Sequence, residues 1–230
     1  EKALSARLRQ LAQVQKQGGK NDISETQWQI GNLFLLMHDA DRAEEHLVQA
    51  LTLALEIGNE QSIFRALLSL SKSKLMARDF VSALERADQA KEQFKKLSGI
   101  QENWEIYATK GTAYAGLGNL KLSQEKKKKA IVVVEDLHRM ASDRSTNVEA
   151  LVGQNIAPFH SMVESMVNSG SLQSALLYAE RAKARSLLDS LDRGKISFAG
   201  AMSSKERHDE QNLKNELSSL SAQIQIEKGS

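Results

Sequence analysis

Cysteine is absent from the 230 residues, and proline occurs once, as Pro158. Without cysteine there is no disulfide, no thiolate metal centre, no iron–sulfur cluster and no cysteine nucleophile. One proline and 13 glycines are too few turn residues for a sandwich or barrel of many short strands. Aromatic residues make up 5%, so a core drawn from the 41% hydrophobic residues is mainly aliphatic. No run of about 18 apolar residues is present to cross a bilayer, so no membrane partner is expected and the cytoplasm is the expected compartment. An excess of one charge is lacking too. The 31 Lys and Arg stand against 29 Asp and Glu, a formal net charge of +2, which argues against nucleic acid as the partner.

What the chain does have is the helical period. Apolar residues recur at three and four, among Ala, Leu, Glu, Lys, Gln and Arg. The one β-branched run, Ile131-Val132-Val133-Val134, is flanked on both sides by helical pattern and reads as buried helix. The predicted fold class is all-α.

An internal repeat organises these helices. Small residues close four turn segments at Ala43, Ala83, Ser123 and Ala175, with spacings of 40, 40 and 52. Seven residues after each comes Ala50, Ala90, Ala130 or Ala182. Twelve before each comes Gly31, Ser71, Gly111 or Val163. Small residues at these places let a second helix pack close against a first, while Phe34, Tyr114, Leu47 and Leu84 fill the remaining space. A helical hairpin of this kind cannot bury its faces alone, so several must stack.

These segments resemble the tetratricopeptide repeat (TPR). Trp28, Gly31, Phe34, Ala43, Leu47 and Ala50 match its pattern best, followed by Trp104, Gly111, Tyr114, Gly118, Ser123 and Ala130. A period of 40 or more fits the longer-helix variety found in kinesin light chains and many bacterial signalling proteins. The resemblance implies a right-handed superhelical solenoid of antiparallel helix pairs over residues 1–189. It would comprise the second helix of an earlier repeat (residues 3–17) and then four repeats. It also implies a concave groove lined by the first helices, at Trp28, Asn32, Leu35, Arg65, Lys72, Met76, Glu105, Thr112, His160 and Glu164, where a protein or peptide would bind. Trp28 reads either as an aromatic anchor or as core packing. The clamp by which some TPRs hold chaperone tails is matched only at Asn32, so a chaperone tail is not the expected ligand.

The string from Ala175 to Leu191 is more specific. Its Ala-Leu, Tyr-Ala-Glu-Arg, Lys-Ala-Arg and Leu-Leu-Asp elements resemble the last repeat of proteins in which TPRs precede a CHAT domain, a caspase-like peptidase fold. The resemblance implies a partner-sensing or regulatory scaffold acting on a downstream CHAT-like domain in cis. With no Cys and no length for that domain, two readings stand: the N-terminal half of such a protein, or a stand-alone TPR adaptor with no peptidase. Residues 190–230 are expected to form a loop and then a capping or linker helix. Ser203 to Glu206 reads as a capping box. Leu213, Leu217, Leu220 and Ile224 follow as a seam that folds back on the helix ending near Leu191 or pairs with a second copy of the chain.

No catalytic, cofactor or metal site is expected. The five His form no His-x-x-x-His pair, no Gly-x-Ser-x-Gly elbow exists, and Gly116-Leu117-Gly118 does not follow a strand. Glu44 and Glu45 diverge as neighbours on a helix. Lys126, Lys127, Lys128 and Lys129 read either as a solvated face, with the Lys127 stem covering apolar surface, or as a patch for an acidic partner. Pro158 also leaves two readings. A helix starting at Val148 is kinked or broken there, or Pro158 sits in the first turn of a helix capped near Asn155.

Overall fold

The computed structural model describes residues 2–98, 102–143, 156–192, 203–206, 208–209, 211–213 and 215–216. Among these residues there are helices and no strand. The helices are α1 (Lys2–Gln17), α2 (Lys20–Leu36), α3 (Ala40–Ile57), α4 (Glu60–Met76), α5 (Phe80–Ser98), α6 (Trp104–Gly116), α7 (Leu120–Asp143), α8 (Ala157–Asn168) and α9 (Leu172–Asp192). The chain divides into two compact units, Glu1–Val133 and Val134–Ser230. The first is a stack of antiparallel helices, and the second contains an antiparallel helix pair.

In the first unit α2 pairs with α3 and α4 with α5, α1 packs on α2, and the first helices α2, α4 and α6 contact one another in turn. The repeated turn is built from hydrogen bonds. Asp39, Asp79 and Asn119, spaced by 40, each accept from the backbone N–H three residues on, at 3.0–3.2 Å. This satisfies one of the unpaired donors at the start of α3, α5 and α7. Just before each cap the chain turns left-handed, at His38 (φ 59°), Arg78 (φ 60°) and Gly118 (φ 76°), with Gly170 (φ 73°) in the same place ahead of α9.

The small positions lie at the helix contacts. Ala43, Ala50, Ala83, Ala90, Ser123 and Ala130 are wholly buried. A Cβ on Gly31 would stand 2.6 Å from Leu47 Cγ, inside contact distance, so only glycine lets α2 approach α3 this closely. One core cluster joins Leu11, Ile30, Phe34, Ala43, Leu47 and Leu70, and a second joins Ala54, Ile63, Phe64, Leu67, Ala87 and Ile106. The β-branched run is helical, as its flanks predict, with Ile131, Val133 and Val134 buried in α7.

In the second unit α8 pairs with α9. The longer 52-residue spacing is taken up in part by α7, which has 24 residues against 18 in α3. The remainder falls at 144–155, outside the described residues. Helix α8 begins at Ala157 with Pro158 in its first turn, as the first-turn reading expects, while residues 148–155, on which the reading of a kinked or broken helix starting at Val148 rests, lie outside the described residues. Its cap is Ile156, which makes no side-chain bond, and not Asn155. A proline costs nothing there, because its missing N–H would be unpaired in any first turn. The capping box closes reciprocally: the Ser203 N–H donates to Glu206 Oε2 (2.7 Å) and the Glu206 N–H to Ser203 Oγ (3.3 Å). Leu213 is 60% exposed, while Leu217, Leu220 and Ile224 lie outside the described residues.

Candidate protein-binding groove

One face of α2, α4 and α6 carries a ladder of polar contacts between helices. Arg65 of α4 forks onto Glu25 of α2, its two terminal nitrogens donating to the two carboxylate oxygens at 2.9 and 3.0 Å. Its guanidinium carbon lies 3.5 Å from the centre of the Trp28 ring. The Trp28 indole N–H donates to Ser69 Oγ at 3.0 Å, and Ser69 donates to Asn32 Oδ1 at 3.1 Å. Asn32 donates in turn to the Trp28 carbonyl at 2.7 Å. One turn along, Lys72 pairs with Glu105 of α6.

The ladder brings together Trp28, Asn32, Arg65, Lys72 and Glu105. Trp28 is half-buried, closed by Arg65 on a ring face and tethered at its N–H. Leu35 packs partly against the first core cluster, and Met76 is half-buried at the end of α4. Thr112 is exposed and bonds back to the Ala108 carbonyl of its own helix. His160 and Glu164 belong to the second unit.

Sequence reasoning missed Glu25 as a groove residue. The signal was present: Glu25, Arg65 and Glu105 occupy one repeat position at 40-residue intervals with alternating sign. Beside the ladder, at the N-terminal ends of α2 and α4, Gln10, Asn21, Asp22, Glu25, Asn59 and Arg65 help line a polar hollow of about 320 Å³.

The four lysines of α7 stand in different surroundings. Lys127 is buried, its stem against Gly111, where a Cβ would meet Lys127 Cγ at 2.7 Å. Lys126 pairs with Glu125 at 2.6 Å and Lys129 with Glu102, while Lys128 is exposed. Glu102 also accepts from the Tyr107 hydroxyl at 2.6 Å. Burial, and then this bond to a carboxylate, push the Tyr107 hydroxyl well above its ordinary range, so it stays a donor.

In the second unit, α8 and α9 border an apolar cleft of about 770 Å³, lined by residues that include Ile156, His160, Val163, Ala179, Ala182 and Lys183. Glu164 lines it as well. At the other side of α9, Arg181 pairs with Glu135 at 2.6 Å and lies 5.1 Å from the Tyr178 ring centre. Among the described residues no group of three His, Asp or Glu could hold a metal ion, and no helix is long and apolar enough to cross a membrane.

No protein-family model and no curated protein matches the chain. Solved structures do match. BtubC from P. vanneervenii is similar over 81% of this chain and 73% of its own, with 20% identity and a TM-score of 0.62. A Rap protein complexed with competence and sporulation factor is similar over 80% of this chain and 48% of its own, with 13% identity and a TM-score of 0.67. A Podosopora anserina protein of nearly identical, kinesin-light-chain-type TPR-like repeats is similar over 80% of this chain and 86% of its own, at 14% identity and a TM-score of 0.55. At such identities the likeness establishes the fold, a TPR-like helical repeat.

Proposed function

We propose that this chain is a non-catalytic protein–protein interaction scaffold that takes a protein or peptide segment on the α2–α4–α6 face. The observation that carries the reading is the ladder from Glu25 to Glu105. It is a continuous row of charged, amide, hydroxyl and aromatic groups across three first helices. Half-buried aromatic and arginine side chains of this kind anchor partners, because they bring large contact area with little rotamer entropy left to lose. Alternating Glu, Arg and Glu offer both signs of charge, which suits a segment of mixed charge. The fold likeness to a Rap protein complexed with competence and sporulation factor supports a repeat array of this type receiving a partner.

Selection from a displayed peptide library tests the reading. Peptides retained by the parent chain should lose tenfold or more in affinity on Trp28→Ala or Arg65→Ala, about 1.4 kcal/mol or more. Equal binding to both variants would move the site off this face.

The finer part of the proposal is that the scaffold is the regulatory region of a TPR–CHAT-type protein. The string from Ala175 to Leu191 supports it, and the downstream coding sequence decides it. A His and a Cys on strands of a following α/β region support the regulatory role, whereas a stop codon near residue 230 leaves the stand-alone adaptor.

A further inference from the structure

The α8–α9 cleft is the counterpart of a place that is filled inside the stack. Counting from Ala43 to Ala175, residues 44, 47, 51 and 54 of α3 correspond to 176, 179, 183 and 186 of α9. On α3 this stripe is covered by α4. Leu47 clusters with Leu70, and Leu51 and Ala54 cluster with Ile63 and Leu67. Glu44 pairs with Lys74 at 2.6 Å. On α9, Ala179, Lys183 and Ser186 of this stripe line the open cleft beside Leu187, which is 54% exposed, and Leu176, at the head of the stripe, is 64% exposed.

The C-terminal seam repeats the covering helix. Leu213, Leu217, Leu220 and Ile224 have the 4, 3, 4 spacing of Ile63, Leu67, Leu70 and Lys74. Where α4 and α3 use an ion pair, Lys74 with Glu44, the corresponding residues are Ile224 and Leu176. Both partners change from charged to apolar together. The other side of α4 is apolar because α5 follows it: Phe64 packs on Phe94 at 5.0 Å between ring centres. At the place of Phe64 the C-terminal segment has Lys214, a charged residue that suits a side turned to solvent. The polarity also agrees. Helix α4 runs back along α3, and a segment starting at the Ser203 cap can run back along α9.

We propose that the α8–α9 cleft is a helix-docking site whose occupant is this chain's own 204–226 segment, seated through Leu213, Leu217, Leu220 and Ile224 as α4 is seated on α3. The gain is the burial of apolar surface on both partners, including Leu213 and Leu176. A docked segment would cover the open side of the α8–α9 repeat. The inference is independent of the groove reading, since it uses no residue of α2, α4 or α6 as a binding group.

The absence of native cysteine makes the test direct. Lys183→Cys combined with Leu217→Cys places thiols at the counterparts of Leu51 and Leu67. Lys183→Cys with Ser218→Cys is the comparison, with the same tether but a direction about 100° away. On mild oxidation of the full chain, the docked arrangement gives an intramolecular disulfide in the Leu217 pair several-fold faster than in the Ser218 pair. Equal rates for the two pairs mean a tethered but undocked segment and overturn the proposal. Disulfides formed only between chains assign the cleft to a second copy and overturn it as well. Thiols that stay free in both variants leave the cleft to a different partner and overturn it too.

Discussion

Arg65 covers Trp28 while gripping Glu25, so one side chain closes an aromatic face and joins two repeats. Removing it should be felt at both places. Arg65→Ala is expected to lower stability by about 1–2 kcal/mol through the lost cation–π contact and the lost ion pair. In a Trp104→Phe background, the emission of Trp28 should shift to the red as water reaches the ring. An unshifted spectrum would mean that the guanidinium does not shield the indole.

Gly31 and Gly111 occupy the same repeat position but face different neighbours. A methyl at Gly31 strikes the branch carbon of Leu47, which is wholly buried and cannot turn aside. Gly31→Ala should cost about 1–3 kcal/mol. At Gly111 the nearest atom belongs to the unbranched stem of Lys127. That carbon is unbranched where Leu47 Cγ carries two methyls, so less has to move and Gly111→Ala should cost less, the gain of about 1 kcal/mol in helix propensity over glycine being common to both variants. Urea midpoints for the two variants measure the difference, and equal losses would contradict this account.

In the turns that lead into α3, α5, α7 and α9 the left-handed residues are His38, Arg78, Gly118 and Gly170. A side chain with a Cβ is strained in that conformation, and glycine is not. His38→Gly and Arg78→Gly should each raise stability by about 0.5–1 kcal/mol, and Gly118→Ala and Gly170→Ala should lower it by a similar amount. No neighbouring atom lies within 4 Å of a Cβ built at either glycine, so crowding does not enter the comparison. Thermal melts of the four variants should therefore move in two opposite directions.

Acidification should weaken the first repeat through His46. Its ring stacks on Phe34 with centres 5.4 Å apart, and Nδ1 lies 2.6 Å from Gln27 Oε1. Partial burial holds its pKa below the ordinary 6.5, against a smaller opposing effect from Glu45. The unfolded chain therefore takes up the proton first as pH falls. The stabilisation is complete above about pH 6.5 and is lost as pH drops through the folded-state value. The melting temperature of the parent should fall across this window, and His46→Gln should flatten that part of the profile.

The repeat was legible because close packing writes itself into composition. Ala43, Ala83, Ser123 and Ala175 can be little else where two helices touch, so period and turn positions could be read directly. Which groups meet across repeats was less legible. Glu25 and Arg65 are 40 residues apart, and neither is unusual on a helix surface until the register between α2 and α4 is known. Lys127 was legible from its place in the repeat. A lysine run suggests a charged face, yet the helical period turns one of its members inward, where the aliphatic stem replaces the usual large apolar residue. Pro158 was ambiguous because a helix interior and a helix first turn make opposite demands on it, and the sequence does not mark which turn it occupies.

The ladder also fixes how the first unit should yield to a pulling force. Its cross-helix ties join residues 33–41 apart in sequence, Lys72 to Glu105 and Trp28 to Ser69 marking the extremes. No tie among those of the ladder reaches past the adjacent repeat. Stretched from its ends, the stack should peel one helix pair at a time. Each step would release a length of chain set by the 40-residue period, about 130 Å when extended. Because so little sequence must be gathered to remake each tie, the released segment should also recoil quickly. An array built this way yields in stages to a load and re-forms when the load is removed.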